Sequence, residues 1–163
     1  MTENDLQKFK KIIIPLDGSK KSERALKYGV SLAIAYKAEI VIASLAPKGK
    51  KSEGPIRARL EEISPELVKQ LKNMPVSILM ETYHEIMLST IRNRDITARS
   101  FMKEGDTSKK SVLNMLLELI KDEKADLVIL ASHRRSGLQK LTEGSLTEDL
   151  IKNSSVPVLV VAK

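Results

Sequence analysis

A chain of 163 residues is long enough for one domain with a sizeable core and short for two. Hydrophobic residues make up 42% and aromatics 3%, so the core must be aliphatic; the absence of cysteine rules out disulfides, thiolate metal sites and cysteine nucleophiles. The net charge of +7 permits nucleic acid, nucleotides or acidic lipid as partners, although a lysine excess also serves plain solubility.

Lys11–Leu16 (KIIIPL) is a short, nearly continuous apolar run, which predicts a strand buried on both faces of a parallel sheet. It ends in the turn signal Asp17-Gly18-Ser19. A helix follows, on which Ala25, Tyr28, Gly29, Leu32, Ala33 and Tyr36 recur at three- and four-residue spacing. Glu39–Leu45 (EIVIASL) is the second strand, completing a βαβ unit with a parallel pair and a right-handed crossover. Pro47–Pro55, rich in lysine, glycine and proline, reads as an exposed, mobile loop carrying Lys48, Lys50 and Lys51. Ser64-Pro65-Glu66 then starts a helix with a capping serine, a proline at the first position and an acid in the first turn.

Pro75 interrupts that helix, and a longer one follows with Leu79, Tyr83, Ile86, Met87 and Ile91 on one face. Val76–Met80 would also suit a strand, but the helical spacing continues past it. A lone histidine on a helix is usually a surface or boundary residue, so His84 carries little functional weight. Ile96–Lys103 is the third strand, closed by Glu104-Gly105-Asp106. Asp106 or Thr107 caps a helix whose residues Val112, Leu113, Leu116, Leu117 and Ile120 make a broad apolar stripe. The fourth strand, Asp126–Ser132, leads through a basic, glycine-containing stretch to a helix opening near Gly144-Ser145. Ser145 and Glu148 have capping-box spacing there. Val158–Ala162 is the fifth strand, and Pro157 before it suits a sheet edge.

Five strands alternating with helices predict an α/β fold: a three-layer, doubly wound sandwich with a five-stranded parallel sheet. Ligands of such sheets bind at the carboxyl ends of the strands, where the strand order reverses. Asp17 and Ala131–Arg135 both fall on that edge. There is no internal repeat, and residues 1–163 read as a single domain with a variable helical or loop segment at about 47–95. No apolar run approaches the ~20 residues of a membrane span, and the N-terminus lacks a signal peptide's apolar centre, so the expectation is a cytoplasmic protein without a membrane partner.

A strand feeding a loop and then a helix N-terminus is an anion site, because unpaired N–H groups and the helix dipole converge there. His133, Arg134, Arg135 and Lys140 add cationic or donor groups, and arginine grips phosphate bidentately. The same stretch also reads as a solvated basic loop, with a cap that merely starts a helix. No catalytic residue is assigned: His133 has no evident acid partner or nucleophile, and Ser19, Ser132 and Ser145 suit turn, loop and cap. Two histidines without a second pair make no zinc site, and no metal ligand is assigned.

Three stretches carry a resemblance: KIIIPLDGS, EGDTSKKSVLNMLLELIKDEKADLVILASH and EGSLTEDLIKNSSVPVLVV. With them the chain resembles the universal stress protein family over nearly its whole length. The resemblance implies an adenine nucleotide alpha hydrolase-like fold and a homodimer through the last strand, Val158–Ala162. In one branch of the family it also implies bound ATP or another adenine nucleotide; magnesium would then bridge the phosphates and Asp17, with no separate carboxylate cage visible in the sequence. The phosphates then lie on a loop of pattern G-x2-G-x9-G-[ST], whose glycines let the backbone approach phosphate oxygens.

Asp17 matches the aspartate that contacts the adenosine end, and Leu16 and Leu45 match apolar positions near the base. Gly144 and Ser145 match the closing pair of the loop, with Leu146 after them. The opening glycines are replaced by Ala131 and Arg134, flanked by Leu130, Ser132 and His133. Alanine is tolerable where the backbone angles are ordinary. Arginine costs about 1 kcal/mol or somewhat more where φ is positive, and its side chain reaches the phosphate position.

Two functional readings therefore stand side by side. One is a dimeric, nucleotide-responsive stress-response module in which occupancy orders Ser132–Thr142 and alters the dimer or a partner surface, with at most slow ATP hydrolysis. The other is a dimeric interaction scaffold for unidentified protein partners that has lost nucleotide binding through Ala131 and Arg134. Nucleic-acid binding through Lys48–Lys51 and His133–Lys140 ranks last, because aromatics for base stacking are nearly absent.

Overall fold

Strands β1 (Lys11–Pro15), β2 (Glu39–Pro47), β3 (Ala98–Gly105), β4 (Leu127–Ala131) and β5 (Val158–Val161) pair in the order β3-β2-β1-β4-β5. Every pair is parallel, as the apolar runs predict. The computed structural model describes residues 1–49, 54–132 and 145–162. The alternation of side chains explains why the strands read as continuous apolar runs. Ile12 and Ile14 on β1, with Ile40 and Ile42 on β2, pack under α1 (Lys20–Tyr36) and α4 (Val76–Ile91). Ile13, Val41, Ala43, Val128 and Leu130 face the opposite way, under α5 (Lys109–Glu123) and α6 (Leu146–Asn153). Two cores on two faces make the doubly wound sandwich.

Helix α1 lies close on the sheet because Gly29 is bare: a β-carbon there would collide with Ile14 Cδ1. Its buried stripe is Ser22, Ala25, Leu26, Gly29 and Ala33, while Tyr28 and Tyr36 stay exposed. The stretch before Ser64 holds a helix that the spacing does not predict, α2 (Gly54–Ile63), which buries Ile56 and Leu60. Of the predicted loop Pro47–Pro55, Pro47 belongs to β2 and Gly54 and Pro55 to α2, while Lys50 and Lys51 lie outside the described residues. Ser64 caps α3 (Pro65–Gln70), and its hydroxyl accepts from Leu67 N–H. Val76–Met80 is helical, as the continued spacing requires. The cap of α5 is Ser108 rather than Asp106 or Thr107; Asp106 instead accepts from the Ser108 N–H at 3.1 Å, one step outside the helix.

The amino ends of the strands are tied together by charge. Lys11, Glu39, Arg99 and Glu123 form a ring across β1, β2, β3 and the end of α5. Asp126 accepts from the N–H groups of both Lys10 and Lys11 at 2.8 Å. The carboxyl ends, by contrast, open into a crevice.

Candidate functional site

The strand order turns back between β1 and β4, and at their carboxyl ends lies a crevice of about 750 Å³. Eight of the residues expected at the site line it: Leu16, Asp17, Leu45, Leu130, Ala131, Ser132, Ser145 and Leu146. The other three, His133, Arg134 and Gly144, lie outside the described residues.

Asp17 follows β1 in an Asx turn, its Oδ1 accepting from Ser19 N–H at 2.9 Å. Ser19 in turn caps α1, accepting from Ser22 N–H at 3.1 Å. The carboxylate is exposed but already part of the turn, so any ligand contact shares it with this structural use. Gly18 between them has φ +82, and a β-carbon there would stand 2.9 Å from Ile56 Cδ1. Both the left-handed turn and the close approach of α2 therefore demand glycine at this position.

Helix α2 is fastened over the crevice by a charged clamp. Arg59 holds Glu23 of α1 with two bonds of 2.6 and 2.7 Å and reaches Glu62 at 2.9 Å. Tyr83 of α4, fully buried, donates its hydroxyl to Glu23 Oε1 at 3.1 Å. Burial, reinforced by the Glu23 charge, raises the phenol's pKa so that it remains a donor.

The crevice has two unlike ends. At β2 the walls are apolar, with Ala43, Leu45, Ile56, Val76 and Met80. At β4 the lining is mixed: Ser132 after the strand and Ser145, Thr147 and Glu148 at the start of α6 stand among Leu130, Leu146 and Ile151. Ser145 caps that helix, accepting from Glu148 N–H at 3.2 Å. The first N–H groups of the helix lack intrahelical acceptors, which suits an anion. Ala131 sits inside β4, paired with Val161 in ordinary extended backbone, so alanine in place of the first loop glycine carries no strain. Among the described residues no group of three or more His, Asp or Glu is placed to hold a metal ion.

Sequence reasoning missed one element of the site, and His84 corrects it. The imidazole is 1% exposed rather than at a boundary, with Nε2 at 2.6 Å from Ser44 Oγ and Nδ1 at 3.0 Å from Ser100 Oγ. Ser44, which lines the crevice, donates its proton to the Leu16 carbonyl. The directions follow from that donation: Ser100 donates to Nδ1, and Nε2–H donates to Ser44. Burial pushes the imidazole pKa down to about 4, so the ring stays neutral. Two signals were available. His84 shares helical spacing with the buried Met80, Met87 and Leu88, and Ser44 is a polar residue inside an otherwise apolar strand.

A family model described as the universal stress protein family matches residues 8–162. Universal stress protein MJ0531 of Methanocaldococcus jannaschii is 30% identical over 162 residues, covering 95% of this chain and 83% of that protein. A solved structure of MJ0577, from the same organism, superposes with a TM-score of 0.66 at 24% identity, covering 95% of this chain and 96% of its own. A universal stress protein of Archaeoglobus fulgidus, solved in complex with dAMP, superposes with a TM-score of 0.59 at 14% identity, over 94% of this chain and 98% of that one.

Proposed function

The chain belongs to the universal stress protein family, and from that premise we propose that it is a stress-response protein whose crevice takes ATP or another adenine nucleotide. The observation that carries this reading is the polarity of the crevice, apolar at β2 and lined by Ser132, Ser145 and the start of α6 at β4. A purine packs against the first end while phosphates reach the second. The dAMP held by the Archaeoglobus fulgidus neighbour is in keeping with it.

Glu148 lines the phosphate end, whereas Asp149 beside it is paired with Lys109 at 2.9 Å. A carboxylate facing phosphates calls for a cation, and in the proposal Glu148 would hold magnesium there. Magnesium supplies charge neutralisation there; the chain's own part is to seat the base and present N–H donors. Among the described residues, Ser145 at the phosphate end is taken up as the cap of α6, and the reading is a binding module with slow turnover at most.

The dimer belongs to the same proposal. β5 is an edge strand with Leu159 38% exposed, and an open edge of this kind suits a second copy. The crevice and that edge share β5: Val160 and Ala162 line the crevice, and Ser132 N–H donates to the Val161 carbonyl at 3.0 Å. Nucleotide occupancy at Ser132 thus bears directly on the dimer strand.

Arg134 favours a second reading, a scaffold without nucleotide, since it stands where the loop pattern has glycine. Calorimetric titration of ATP with magnesium into the protein and into Arg134→Gly decides between them. Binding that weakens in the variant makes Arg134 a phosphate clamp, and binding that appears only in the variant makes it a plug. No heat in either protein overturns the nucleotide reading and leaves the scaffold.

A further inference from the structure

Ser44 is 3% exposed as a residue, yet it lines the apolar end of the crevice. A hydroxyl has one proton and two lone pairs. The proton goes to the Leu16 carbonyl, and one lone pair receives Nε2–H of His84 at 2.6 Å. With Nε2 protonated, Nδ1 accepts from the Ser100 hydroxyl at 3.0 Å. Leu16 after β1 and His84 of α4, itself held by Ser100 of β3, thus keep the serine in one orientation, and a single lone pair is left over.

We infer that Ser44 is a specificity-determining residue of the crevice, offering it an acceptor and never a donor, and so selecting a base with an amino group over one with a keto group. The inference rests on the proposed adenine-nucleotide occupancy. Its basis is geometric: Leu45 and Met80 beside Ser44 provide apolar walls for a flat ring, and the ring's edge then meets the serine. An amino edge gains a hydrogen bond. A keto edge sets two acceptors against each other and strands both.

The test titrates three nucleotides with magnesium into the full chain: ATP, purine riboside triphosphate, which lacks the 6-substituent, and inosine triphosphate, which carries a keto group there. The expected order is ATP, then purine riboside triphosphate, then inosine triphosphate, with about tenfold between first and last. Ser44→Ala should bring all three within about twofold, and Ser44→Cys, nearly isosteric with a weak acceptor, should fall between. Equal affinities in the unaltered protein, or an unchanged preference in a folded Ser44→Ala or Ser44→Cys, overturn the inference while leaving nucleotide binding in place. Failure of all three nucleotides to bind any of these proteins overturns the proposed function, and this inference with it.

Discussion

Replacing Arg59 with methionine removes the clamp that holds α2 against the crevice. The guanidinium grips Glu23 through two bonds of 2.6 and 2.7 Å, and the side chains are 21% and 14% exposed. Exposed pairs contribute about 0–1 kcal/mol, whereas breaking one side of a buried pair costs about 3–5 kcal/mol. At these exposures, with fork-to-carboxylate geometry, a loss of about 2 kcal/mol is the reasoned value. Glu23 keeps the Tyr83 hydroxyl as a donor, which limits the damage. A chain of this size has a stability on the order of 10 kcal/mol, so the variant still folds, with Tm lowered by about 4–8 °C. Thermal melts of Arg59→Met, Glu23→Gln and the double variant complete a cycle, and a coupling of about 1–2 kcal/mol is expected. A Tm drop below about 2 °C with coupling near zero would show that the pair behaves as an ordinary surface contact, and the reasoning would be wrong.

Three further outcomes follow from particular residues. Gly18→Ala should cost about 2 kcal/mol in urea unfolding, because φ is +82 and the new methyl meets Ile56, while Gly54→Ala, with open space around it, should stay within about 0.5 kcal/mol. Lys124 closes α5 in the left-handed region at φ 51, so Lys124→Gly should stabilise by about 1 kcal/mol and raise Tm by about 2–4 °C. The depressed pKa of His84, about 4 against an ordinary 6.5, means that the unfolded chain takes up the proton first. Its stabilising contribution is full above pH 6.5 and lost as pH falls toward 4, by up to about 3 kcal/mol, and His84→Asn should flatten that part of a stability-versus-pH curve.

Most of the architecture was legible because buried parallel strands leave an unusually plain signal. KIIIPL and EIVIASL are apolar at successive positions, and only a sheet covered on both faces uses both sets of side chains. Capping serines were equally plain at Ser64 and Ser145, since their function is local. The cap of α5 went astray because Asp106, Thr107 and Ser108 are all competent N-caps, and the choice depends on which residue takes the turn outside the helix. Helix α2 was hidden for a different reason. Its contribution to the fold is Ile56 over Gly18 and Arg59 on Glu23, and both contacts are with residues far away in sequence. The positions expected at the site came together because turns after β1 and β4 share one sheet edge by topology, whereas the pairing of Ser44 with His84 is a tertiary fact that no local pattern contains.

The division of the crevice into two ends also divides the work of recognition. At the β2 end the walls come from strands and helices locked by several contacts: Ser44 is tied to β1 and α4, Gly18 is covered by α2, and α2 is pinned by Arg59. On the proposed nucleotide reading, a base fitted there would meet fixed groups, so discrimination between bases would be set by preorganised geometry, at little ordering cost. At the β4 end the described groups are a strand terminus and the first turn of a helix of eight residues, with Glu148 among them. On the same proposal, recognition of phosphates there would be electrostatic, depending on helix N–H groups, on cations and on salt. The two contributions are separable by experiment: raising salt should weaken every triphosphate alike and leave the ATP-to-inosine-triphosphate ratio unchanged. A ratio that collapses with salt would place the discrimination at the phosphate end and refute the division.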